Sequence, residues 1–542
     1  MSSLRSREEF DFLVLGGGSA GCVVASRLSE EQDCSVAMFE AGSRDRLRLT
    51  SIPSAQLFTI GKPQYDWCYK SEPDPTRHGA SELWPRGRML GGSSGINGMV
   101  FIRGCAADYD EWERLGNSGW GWDSVLPLFK RIESSDIASE LRGTAGPQTI
   151  TTARWRHPLS LKFIESAAAA GLPYNNDMNG ISHEGMGWSQ GTIKNGRRQS
   201  AFDAYIVPNL RRPNLFVREN MLVQRIVFDG RRAVGAVVSD QRGGDSWTIR
   251  ARRGVIVCAG TINTPQLLML SGVGPGEELQ AVGIEVKHHS PAVGKNLMEH
   301  AGLRLQAEMD QWTLNRYVTP WWAPIQALRC LAFRSGPVSS PTAQLLGFCR
   351  SDPELENPDL EILFFAFGSR YGSKKHGTMS SIPNRNLVTM LVTLNHPASK
   401  GHVALKDADP RSPIEIHPRM LSAHEDVERL RRGLHILRRI ASTPPFSDSV
   451  VELLDFPSAE ASEADEEGFI RKATCPFYHP AGTSRMGADQ ASVVDPKLAV
   501  RGVDCLWVAD ASVFPKMVSG NIHATTLMIG EKAAELIRTA AV

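Results

Sequence analysis

Two short apolar runs near the start of the chain flank a stretch with a helical pattern. Residues 10–15 (FDFLVL) end at Gly16, Gly17 and Gly18, and residues 34–39 form a second apolar run that ends at Glu40. Residues 19–29, which lie between the two runs, have the residue pattern of a helix. The pattern therefore predicts a βαβ unit of about thirty residues.

Two further strands followed by loops lie far along the chain. Residues 254–260 (GVIVCAG) predict a strand, and the segment TPQLLMLSGVG after it predicts a helix that glycines close. Residues 505–512 (CLWVADAS) predict a third strand, and an amphipathic helix follows at about residues 522–540. One sheet could hold all three strands, and the domain built on it would then be discontinuous in sequence.

The stretches between these units differ in composition. Residues 155–215 and 305–475 carry aromatic and proline-rich segments, such as TPWWAP at 319–324. The segment NLVTMLVTL at 386–394 is rich enough in β-branched residues to predict a strand buried on both faces. We expect a second, mostly antiparallel sheet-and-helix domain. The predicted fold class is thus α/β, α+β overall, with a discontinuous Rossmann-like domain.

The composition excludes several classes of function. The chain has 542 residues with 42% hydrophobic and 22% charged, which is typical of a globular protein of two or three domains. Sixty basic and fifty-nine acidic residues leave a net charge of +1, too little to attract nucleic acid or an anionic membrane. The nine cysteines include no close pair, which predicts reduced thiols and no metal site. Because no apolar run approaches about twenty residues and the start lacks a signal-peptide pattern, we expect a cytoplasmic protein without a transmembrane segment.

The glycines after the first strand form the motif Gly16-x-Gly18-x-x-Gly21. The first glycine permits a tight turn, the second lets backbone amides approach a pyrophosphate, and the third lets the helix pack on the strand. Glu40, nineteen positions after the third glycine, can bind a ribose 2′-hydroxyl. The motif predicts a dinucleotide site and leaves NAD and FAD both open.

A second glycine-rich loop occupies residues 86–104 (RGRMLGGSSGINGMVFIRG). Its glycines, together with Ser93, Ser94 and Asn97, can offer backbone amides to a flat polar ring system. The loop also carries Met89, Leu90, Ile96, Met99, Val100 and Phe101, which is more apolar surface than a solvent-exposed loop usually has. We therefore expect this loop to line the cofactor site.

Several long motifs resemble one family in the same order along the chain. They are GRMLGGSSGINGMVFIRG, AGTINTPQLLMLSGVGP at 259–275, VGKNLMEH at 293–300, and the late pair YHPAGTSRMG and VADASVFPKMVSGNIHATTLMIGEKAAELI. Together they are similar to the glucose-methanol-choline (GMC) oxidoreductases, from about residue 10 to about residue 540. The resemblance implies an FAD enzyme that oxidises alcohols.

The resemblance also implies a domain division and a set of cofactor residues. The FAD-binding domain would comprise residues 1–155, 215–305 and 475–542, and the substrate-binding domain residues 156–214 and 306–474. The predicted cofactor-binding residues are Gly16, Gly18, Ser19, Ala20, Gly21, Glu40, Ala41, Arg88, Gly91, Gly92, Ser93, Asn97, Gly98, Met99, Val100, Val223, Ala259, Gly260, Asp510, Ala511, Asn521, Ile522 and Thr525. Some relatives carry in the second loop a histidine that bonds to the flavin, whereas this chain has Ile96, so we expect FAD to be held non-covalently.

His479 in YHPAGT matches the catalytic histidine of the family. Oxidation of an alcohol by hydride transfer requires a base for the hydroxyl proton, and a histidine with a pKa near 6.5 is mostly neutral at physiological pH. The partner position of the family, histidine or asparagine, falls on Asn521, and His523 is the rival candidate. The N-terminus of the final helix, near Ile522, would direct its unpaired N–H groups at the flavin. His300, His396 and His402 are expected to be structural or exposed.

The sequence does not determine the substrate or the electron acceptor. Trp67, Trp312, Trp321 and Trp322 could form an aromatic wall for a ring or a quaternary ammonium group, or could simply be packing residues. Arg316, Arg334 and Arg370 could admit an acidic substrate or could be solvated surface. Choline-like, aromatic, furanic, pyridoxine-like and aliphatic alcohols all fit, with O2, a quinone or another carrier as acceptor. The alternatives to alcohol oxidation are a hydroxynitrile lyase, a flavin photodecarboxylase and a non-catalytic flavin-binding scaffold, and the oligomeric state is open.

Overall fold

A computed structural model describes residues 8–46, 48–241, 243–371 and 379–540. Two large sheets organise it, each with seven strands. The first sheet contains Glu9–Leu15, Val36–Phe39, Leu215–Arg218, Met221–Asp229, Arg232–Asp240, Ser246–Val257 and Leu506–Val508. The second contains Gly185–Trp188, Ala301–Met309, Leu345–Cys349, Leu360–Phe365, Leu387–Leu394, Val450–Leu454 and Thr474–Pro476. A mixed α/β architecture, as predicted, is therefore confirmed.

The first sheet brings together the three strands that the sequence pattern predicted. Ser246–Val257 runs parallel to Glu9–Leu15 on one side and to Leu506–Val508 on the other. Two more strands, Val36–Phe39 and Leu215–Arg218, extend the parallel part. Segments from the beginning, middle and end of the chain therefore share one sheet. An antiparallel meander through Met221–Asp229 and Arg232–Asp240 completes it.

The second sheet is antiparallel throughout its pairings, as expected. All eight residues of Leu387–Leu394 are buried, which confirms the strand predicted at 386–394. One face of this sheet packs its apolar side chains against the helices Pro158–Ala169 and His424–Ala441. The opposite face carries Leu346, Phe348, Leu363 and Leu391, which cluster with Val100 and Ile102 of the second glycine-rich loop.

Eleven α-helices are assigned within the described residues. They are Ser19–Leu28, Gln56–Thr59, Ala106–Arg114, Trp122–Ile132, Pro158–Ala169, Gly260–Leu270, Gly276–Ala281, Ala323–Phe333, His424–Ala441, Glu463–Ala473 and His523–Ala540. The last of them confirms the predicted amphipathic helix. None of them is both long enough and apolar enough to span a bilayer.

Short two- and three-stranded pairings connect these elements. They are formed by Tyr69–Lys70 with Leu83–Trp84, Glu133–Ser135 and Gln190–Gly191 with Gln148–Thr152, Ile193–Lys194 with Arg197–Arg198, Val273–Gly274 with His288–His289, Arg370–Tyr371 with Met379–Ser381, and His402–Ala404 with Glu415–His417. All nine cysteines carry free thiols.

The helix Ser19–Leu28 packs directly on the helix His523–Ala540. Gly530 lets the two backbones approach, because a Cβ at this position would lie 2.8 Å from the Cβ of Val23. Arg27 forms an ion pair of 2.9 Å with Glu531, whose side chain is fully buried. The helices that follow the strands Glu9–Leu15 and Leu506–Val508 are thus joined by an ion-paired contact.

Candidate active site

A cavity of ≈ 420 Å³ lies between the two sheets. One end is lined by Gly16, Glu40 and other residues of the first βαβ unit, and the lining includes His479 and Asn521 from near the end of the chain. Most of the predicted cofactor residues line it: Gly16, Gly18, Ser19, Ala20, Glu40, Ala41, Gly92, Ser93, Asn97, Gly98, Met99, Val100, Val223, Ala259, Gly260, Asp510, Ala511, Asn521 and Ile522. One continuous cavity therefore connects the early glycine turn with the late histidine.

The glycine turn has the geometry that its motif requires. Gly16 has a φ of 114°, and a Cβ there would lie 2.4 Å from the carbonyl oxygen of Cys258. A Cβ at Gly21 would lie 2.0 Å from the carbonyl oxygen of Gly16, so the helix can pack on the strand only without a side chain there. Gly18 differs, since its nearest neighbour would be 3.8 Å away, and it faces the cavity. Backbone amides at the start of the helix are therefore open to a ligand.

Glu40 is anchored beside this turn. One of its carboxylate oxygens accepts a hydrogen bond from the backbone of Gly17 at 3.0 Å, and the other accepts from Gly42 at 2.8 Å. Burial raises the pKa of Glu40 to about 7, although these two hydrogen bonds and the charge of Arg88 act to lower it. Each carboxylate oxygen still has a lone pair for a ribose hydroxyl.

A buried arginine holds the second glycine-rich loop by hydrogen bonds. Arg198 donates to the side-chain oxygen of Asn97 at 2.7 Å and to the carbonyl of Ser94 at 3.2 Å. Burial lowers the pKa of Arg198 to about 9. Met99 has a φ of 66°, a conformation that directs its backbone into the cavity wall. Arg198 therefore anchors this loop, while other loop residues line the cavity.

Asp510 ties the late strand to the middle of the chain. One of its carboxyl oxygens accepts from the backbone of Gly260 at 2.9 Å and from the hydroxyl of Thr264 at 2.6 Å. The other accepts from the backbone of Ser512 at 2.8 Å. These contacts hold the ends of two adjacent parallel strands together at the cavity, where ligands of such sheets normally bind.

His479 is positioned by a short antiparallel crossing. Met298 and Ala481 exchange backbone hydrogen bonds of 2.9 and 3.0 Å, and Phe477 donates to the carbonyl of His300 at 3.0 Å. The backbone N–H of His479 donates to the carboxyl of Glu299 at 2.7 Å. Two segments far apart in sequence therefore set the imidazoles of His300 and His479 face to edge.

The hydrogen bonds of His300 determine which nitrogen of His479 carries the proton. Nε2 of His300 lies 3.0 Å from the carbonyl of Asn395 and 3.1 Å from that of Val518, so it must be protonated to donate. Burial lowers the pKa of His300 to about 4, so the ring is neutral and Nδ1 has a lone pair. That nitrogen lies 3.0 Å from Nδ1 of His479. His479 therefore donates from Nδ1 and keeps its lone pair on Nε2.

Nε2 of His479 meets the amide of Asn521. The Nδ2 of Asn521 donates to it at 2.9 Å, while the Oδ1 of Asn521 has no hydrogen-bond partner among the described residues. Burial lowers the pKa of His479 well below 6.5, and the charge of Arg86 acts in the same direction. The cavity thus contains a neutral base beside a hydrogen-bond donor.

Four predicted cofactor residues lie behind the cavity wall. Gly21 packs on Gly16 as described, and Gly91 donates from its backbone to Gly17 at 2.8 Å. Arg88 lies over the ring of Trp67 and donates to Gln241. The hydroxyl of Thr525 is 2.8 Å from that of Tyr109. These residues support the wall from behind.

Of the tryptophans and arginines considered as substrate-binding residues, some line the cavity and others do not. Trp67 lines the cavity, but Trp312, Trp321 and Trp322 are exposed at the surface and do not. Arg316 and Arg334 are also absent from the lining, and the side chain of Arg370 lies outside the described residues. The rival histidine, His523, does line the cavity, with its Nε2 buried and without a hydrogen-bond partner among the described residues.

Sequence reasoning missed several residues at this site. His300 was grouped with the structural histidines, yet it is hydrogen-bonded to His479. Of the other two in that group, His396 contacts Asp108 at 2.6 Å and His402 stacks on His417, both outside the cavity lining. Arg86, Glu299 and Arg198 were not considered either. The motif VGKNLMEH contains two of the missed residues and was the available signal.

Comparison with known proteins identifies the family. Two family models described as GMC oxidoreductase match residues 10–302 and 397–530. The chain belongs to the GMC oxidoreductase family. It is 38% identical over 542 residues to an oxygen-dependent choline dehydrogenase of Brucella ovis, covering 98% of this chain and 95% of that protein.

Solved structures of oxidases have the same fold as this GMC oxidoreductase. A pyridoxine 4-oxidase from Mesorbium loti superposes with a TM-score of 0.88 at 30% identity, covering 97% of this chain and 98% of the other. A variant formate oxidase of Aspergillus oryzae, a structure concerned with modification of its FAD, gives 0.89 at 27% identity, covering 98% and 99%. The protein is an FAD-dependent oxidoreductase that acts on CH–OH donors.

The cavity residues fit FAD at both ends. Gly16 and Gly18 leave room for a pyrophosphate beside the helix that starts at Ser19, and Glu40 is placed to accept from a ribose hydroxyl. At the other end, Asn521, Ile522 and His523 line the cavity at the start of the helix His523–Ala540. The two helix N-termini therefore face the same cavity and favour negative charge there.

Proposed function

We propose that the protein oxidises an alcohol to an aldehyde or ketone with His479 as the general base and Asn521 as the residue that holds the substrate oxygen. Bound FAD would accept the hydride at N5. The observation that supports this function most directly is the lone pair on Nε2 of His479, which faces the cavity next to the amide N–H of Asn521. An alcohol hydroxyl that displaces the hydrogen bond between Asn521 Nδ2 and His479 Nε2 could donate its proton to Nε2 and accept a hydrogen bond from the released amide N–H.

The electrostatics keep His479 in its proton-accepting form at neutral pH. Because burial holds the pKa of His479 well below 6.5, the imidazole is neutral wherever the protein is near neutral pH. Arg86 also lines the cavity, and its guanidinium donates to the carbonyl of Tyr478, next to His479, so its charge favours negative charge on the substrate oxygen as the proton leaves. Glu299 lies behind His479, and burial raises its pKa to about 8, so it adds no compensating negative charge at pH 7.

Three features of this proposal go beyond the family assignment. FAD is held without a covalent bond, because Ile96 lines the cavity and has no nucleophilic atom. Turnover would require an electron acceptor for the reduced cofactor, which could be O2, a quinone or another carrier. The domain division stays a proposal, and its boundaries at residues 305/306 and 474/475 fall inside the strands Ala301–Met309 and Thr474–Pro476 of the second sheet. A cytoplasmic location stays a prediction.

The experiment is an anaerobic panel of alcohols mixed with the holoprotein while the flavin absorbance is followed. Reduction by at least one alcohol is expected, and His479→Ala should slow it on the order of 10²- to 10⁴-fold. His402→Ala is the matched control, since His402 lies outside the cavity lining. If the His479 variant reduces as fast as the parent with equal FAD content, the proposed base is wrong. If no alcohol bleaches the flavin but a cyanohydrin is cleaved, the lyase alternative replaces oxidation.

A further inference from the structure

We propose that Arg304 binds an anionic group of the substrate, so that the cavity accepts an alcohol bearing a carboxylate and disfavours a quaternary ammonium alcohol. This inference rests on the proposed function, because it concerns the substrate of the same cavity. It assigns a binding role to a residue that the sequence motifs do not single out.

Strand geometry places Arg304 in the cavity. It lies in the strand Ala301–Met309, where Leu303 and Leu305 point to the apolar core behind the sheet. Side chains alternate along a strand, so Arg304 points to the opposite face, where it lines the cavity. Its partner across the neighbouring strand is Leu391, which lines the same cavity.

The same strand connects Arg304 to the catalytic end of the cavity. Gly302, two positions earlier, packs against Phe477, whose ring would be 2.7 Å from a Cβ at that glycine. Phe477 lines the cavity two residues before His479. Arg304 and His479 therefore line the same cavity, and a substrate that extends from Nε2 of His479 along this wall would approach Arg304.

The charge balance of the cavity favours an anion. Among the described residues that line it, the acidic side chains are Glu40 and Asp510, and both already accept several hydrogen bonds from the FAD-binding part of the wall. Two arginines, Arg86 and Arg304, also line the cavity, and the guanidinium of Arg86 donates to the carbonyl of Tyr478. A carboxylate can form a charge-assisted, bidentate hydrogen bond with a guanidinium, whereas a quaternary ammonium group is repelled by both arginines.

The test measures binding rather than turnover. Holoprotein would be titrated with isovalerate, its uncharged amide and propyltrimethylammonium, with the shift in flavin absorbance as readout. We expect the carboxylate to bind at least tenfold more tightly than the other two. Equal binding of carboxylate and amide by the parent protein would overturn the inference without any variant.

Variants make the assignment residue-specific. Arg304→Gln should weaken carboxylate binding at least tenfold, Arg304→Lys should lose less, and Arg329→Gln, an exposed arginine outside the cavity lining, should lose nothing. Unchanged binding in Arg304→Gln would refute the role of Arg304. If carboxylates bind through Arg304 but no alcohol reduces the flavin, the proposed oxidation fails while this site stands.

A second inference comes from an exposed apolar surface, independent of the cavity. It is formed by Trp312, Val318, Trp321, Trp322, Ile325, Leu328, Leu331 and Phe333, and we call it the Trp321 surface. The exposed fraction is 85% for Trp321, 67% for Leu328, 70% for Leu331 and 77% for Phe333. Soluble proteins rarely expose so many large apolar side chains together unless they bind something.

The charged residues in the chain segment that forms this surface are all basic. The chain has no acidic residue between Asp310 and Asp352, whereas the same stretch contains Arg316, Arg329 and Arg334. The exposed Lys194 lies in a neighbouring hairpin, in which a Cβ at Gly196 would be 2.3 Å from the carbonyl of Arg334. Tryptophan and leucine beside basic residues are typical of a surface that inserts into an anionic bilayer.

We infer that the Trp321 surface docks on a membrane of anionic phospholipid. A second copy of the chain fits less well, because a two-fold interface would place the arginines of one surface against those of the other. The net charge of the whole chain is only +1, because acidic residues elsewhere balance the basic residues of the Trp321 surface. The sequence-based exclusion of an anionic membrane considered the total alone.

The surface adjoins the rim of the cavity. The turn Pro337–Ser339 follows the exposed helix Ala323–Phe333 and packs against Pro53–Ala55. The next residue, Gln56, donates a hydrogen bond to Thr342, and both line the cavity. Docking would therefore bring the rim of the cavity close to the bilayer.

Vesicle co-sedimentation tests the docking. The holoprotein should bind vesicles of phosphatidylcholine with phosphatidylglycerol at least tenfold more strongly than phosphatidylcholine alone. The combined variant Trp321→Ser, Leu328→Ser and Phe333→Ser should lose this binding, and Leu161→Ser with Ile181→Ser, two exposed apolar residues elsewhere, should not. Binding unchanged in the triple variant would refute the inference. So would a dimer in light scattering that the triple variant abolishes, which would assign the surface to a second copy.

Discussion

Nδ1 of His300 lies 3.0 Å from Nδ1 of His479, and the remaining contacts of His300 require that His479 supplies the hydrogen between them. The pair is arranged at right angles, with ring centroids 5.2 Å apart. His300 does not reach the substrate position beside Asn521. It acts as a positioning residue, because it fixes the tautomer in which Nε2 of His479 can accept a proton.

Loss of His300 should therefore slow catalysis without loss of cofactor. In His300→Leu the Nδ1–H of His479 loses its acceptor, and the unproductive tautomer becomes accessible. We expect flavin reduction by the alcohol to slow on the order of 10- to 100-fold, as for other residues that orient a functional histidine. Stopped-flow absorbance measures the rate, and His300→Gln, which retains an acceptor oxygen, should recover part of it. A leucine variant as fast as the parent would contradict this role.

The pH dependence of flavin reduction should be flat through neutrality. Since burial holds the pKa of His479 well below 6.5, the base stays neutral from pH 6.5 upward, and the rate should fall only at more acidic pH. The charge of Arg86 contributes to that lowering, so Arg86→Gln should raise the pKa and move the acid limb to higher pH. The control is Arg46→Gln, an arginine whose side chain is largely exposed. An acid limb that stays in place or moves to lower pH would show that Arg86 does not act on His479.

A buried carboxyl predicts a proton-linked change in stability. Both oxygens of Glu361 are buried without a hydrogen-bond partner among the described residues, and burial raises its pKa from 4.5 to about 8. Between these values the folded chain holds a proton that the unfolded chain releases, so the free energy of unfolding falls as pH rises. Glu361→Gln should remove a slope of about 1.4 kcal/mol per pH unit.

Urea unfolding between pH 5 and pH 7 would measure that slope. Glu285→Gln is the control, since the side chain of Glu285 is exposed and the pH dependence of the parent should persist. Parallel curves for the parent and the Glu361 variant would mean that this carboxyl titrates alike in the folded and unfolded chains.

Gly16 should tolerate no side chain. An alanine Cβ would lie 2.4 Å from the carbonyl of Cys258 at a φ of 114°, so Gly16→Ala should lose FAD and destabilise the fold on the order of 2–4 kcal/mol. Gly468→Ala is the matched control, because this glycine lies on an exposed helix with open space around it. It should be neutral or stabilising by about 0.5–1 kcal/mol. FAD absorbance per mole of protein and thermal unfolding report both effects, and full FAD retention in Gly16→Ala would refute the steric argument.

FAD should be released when the protein is denatured. Ile96 packs with Tyr65 and Met89 and has no atom that could bond to the flavin. After acid precipitation the supernatant should be yellow and the pellet colourless. A yellow pellet would show a covalent link at another residue.

The sequence predicts the parts of this fold that depend on local pattern. Strand runs that end at Gly16 and Gly260, and the helix that follows Asn521, are visible because periodicity and glycine punctuation are properties of neighbouring residues. His479 and Asn521 were proposed from motifs, and the structure brings their side chains to 2.9 Å.

The missed residues depend on contacts between distant segments. His300 meets His479 across a separation of 179 residues, through a crossing that no local pattern encodes. Arg304 sits in an ordinary alternating strand, and only the position of the sheet shows that its face lines a cavity. Trp321 fits neither expected role, since it is neither in the cavity nor packed at a domain junction but exposed.

The contact between Arg27 and Glu531 spans 504 residues, and it joins the helix after the glycine turn to the helix after Asn521. During synthesis, the glycine turn leaves the ribosome long before the second helix exists. A nascent chain therefore contains the glycine turn but lacks His479 and Asn521 while the residues between them are still being made. Cofactor capture must be one of the last steps in the maturation of each molecule, and a ribosome that stalls before residue 523 yields a product that cannot acquire a functional flavin site.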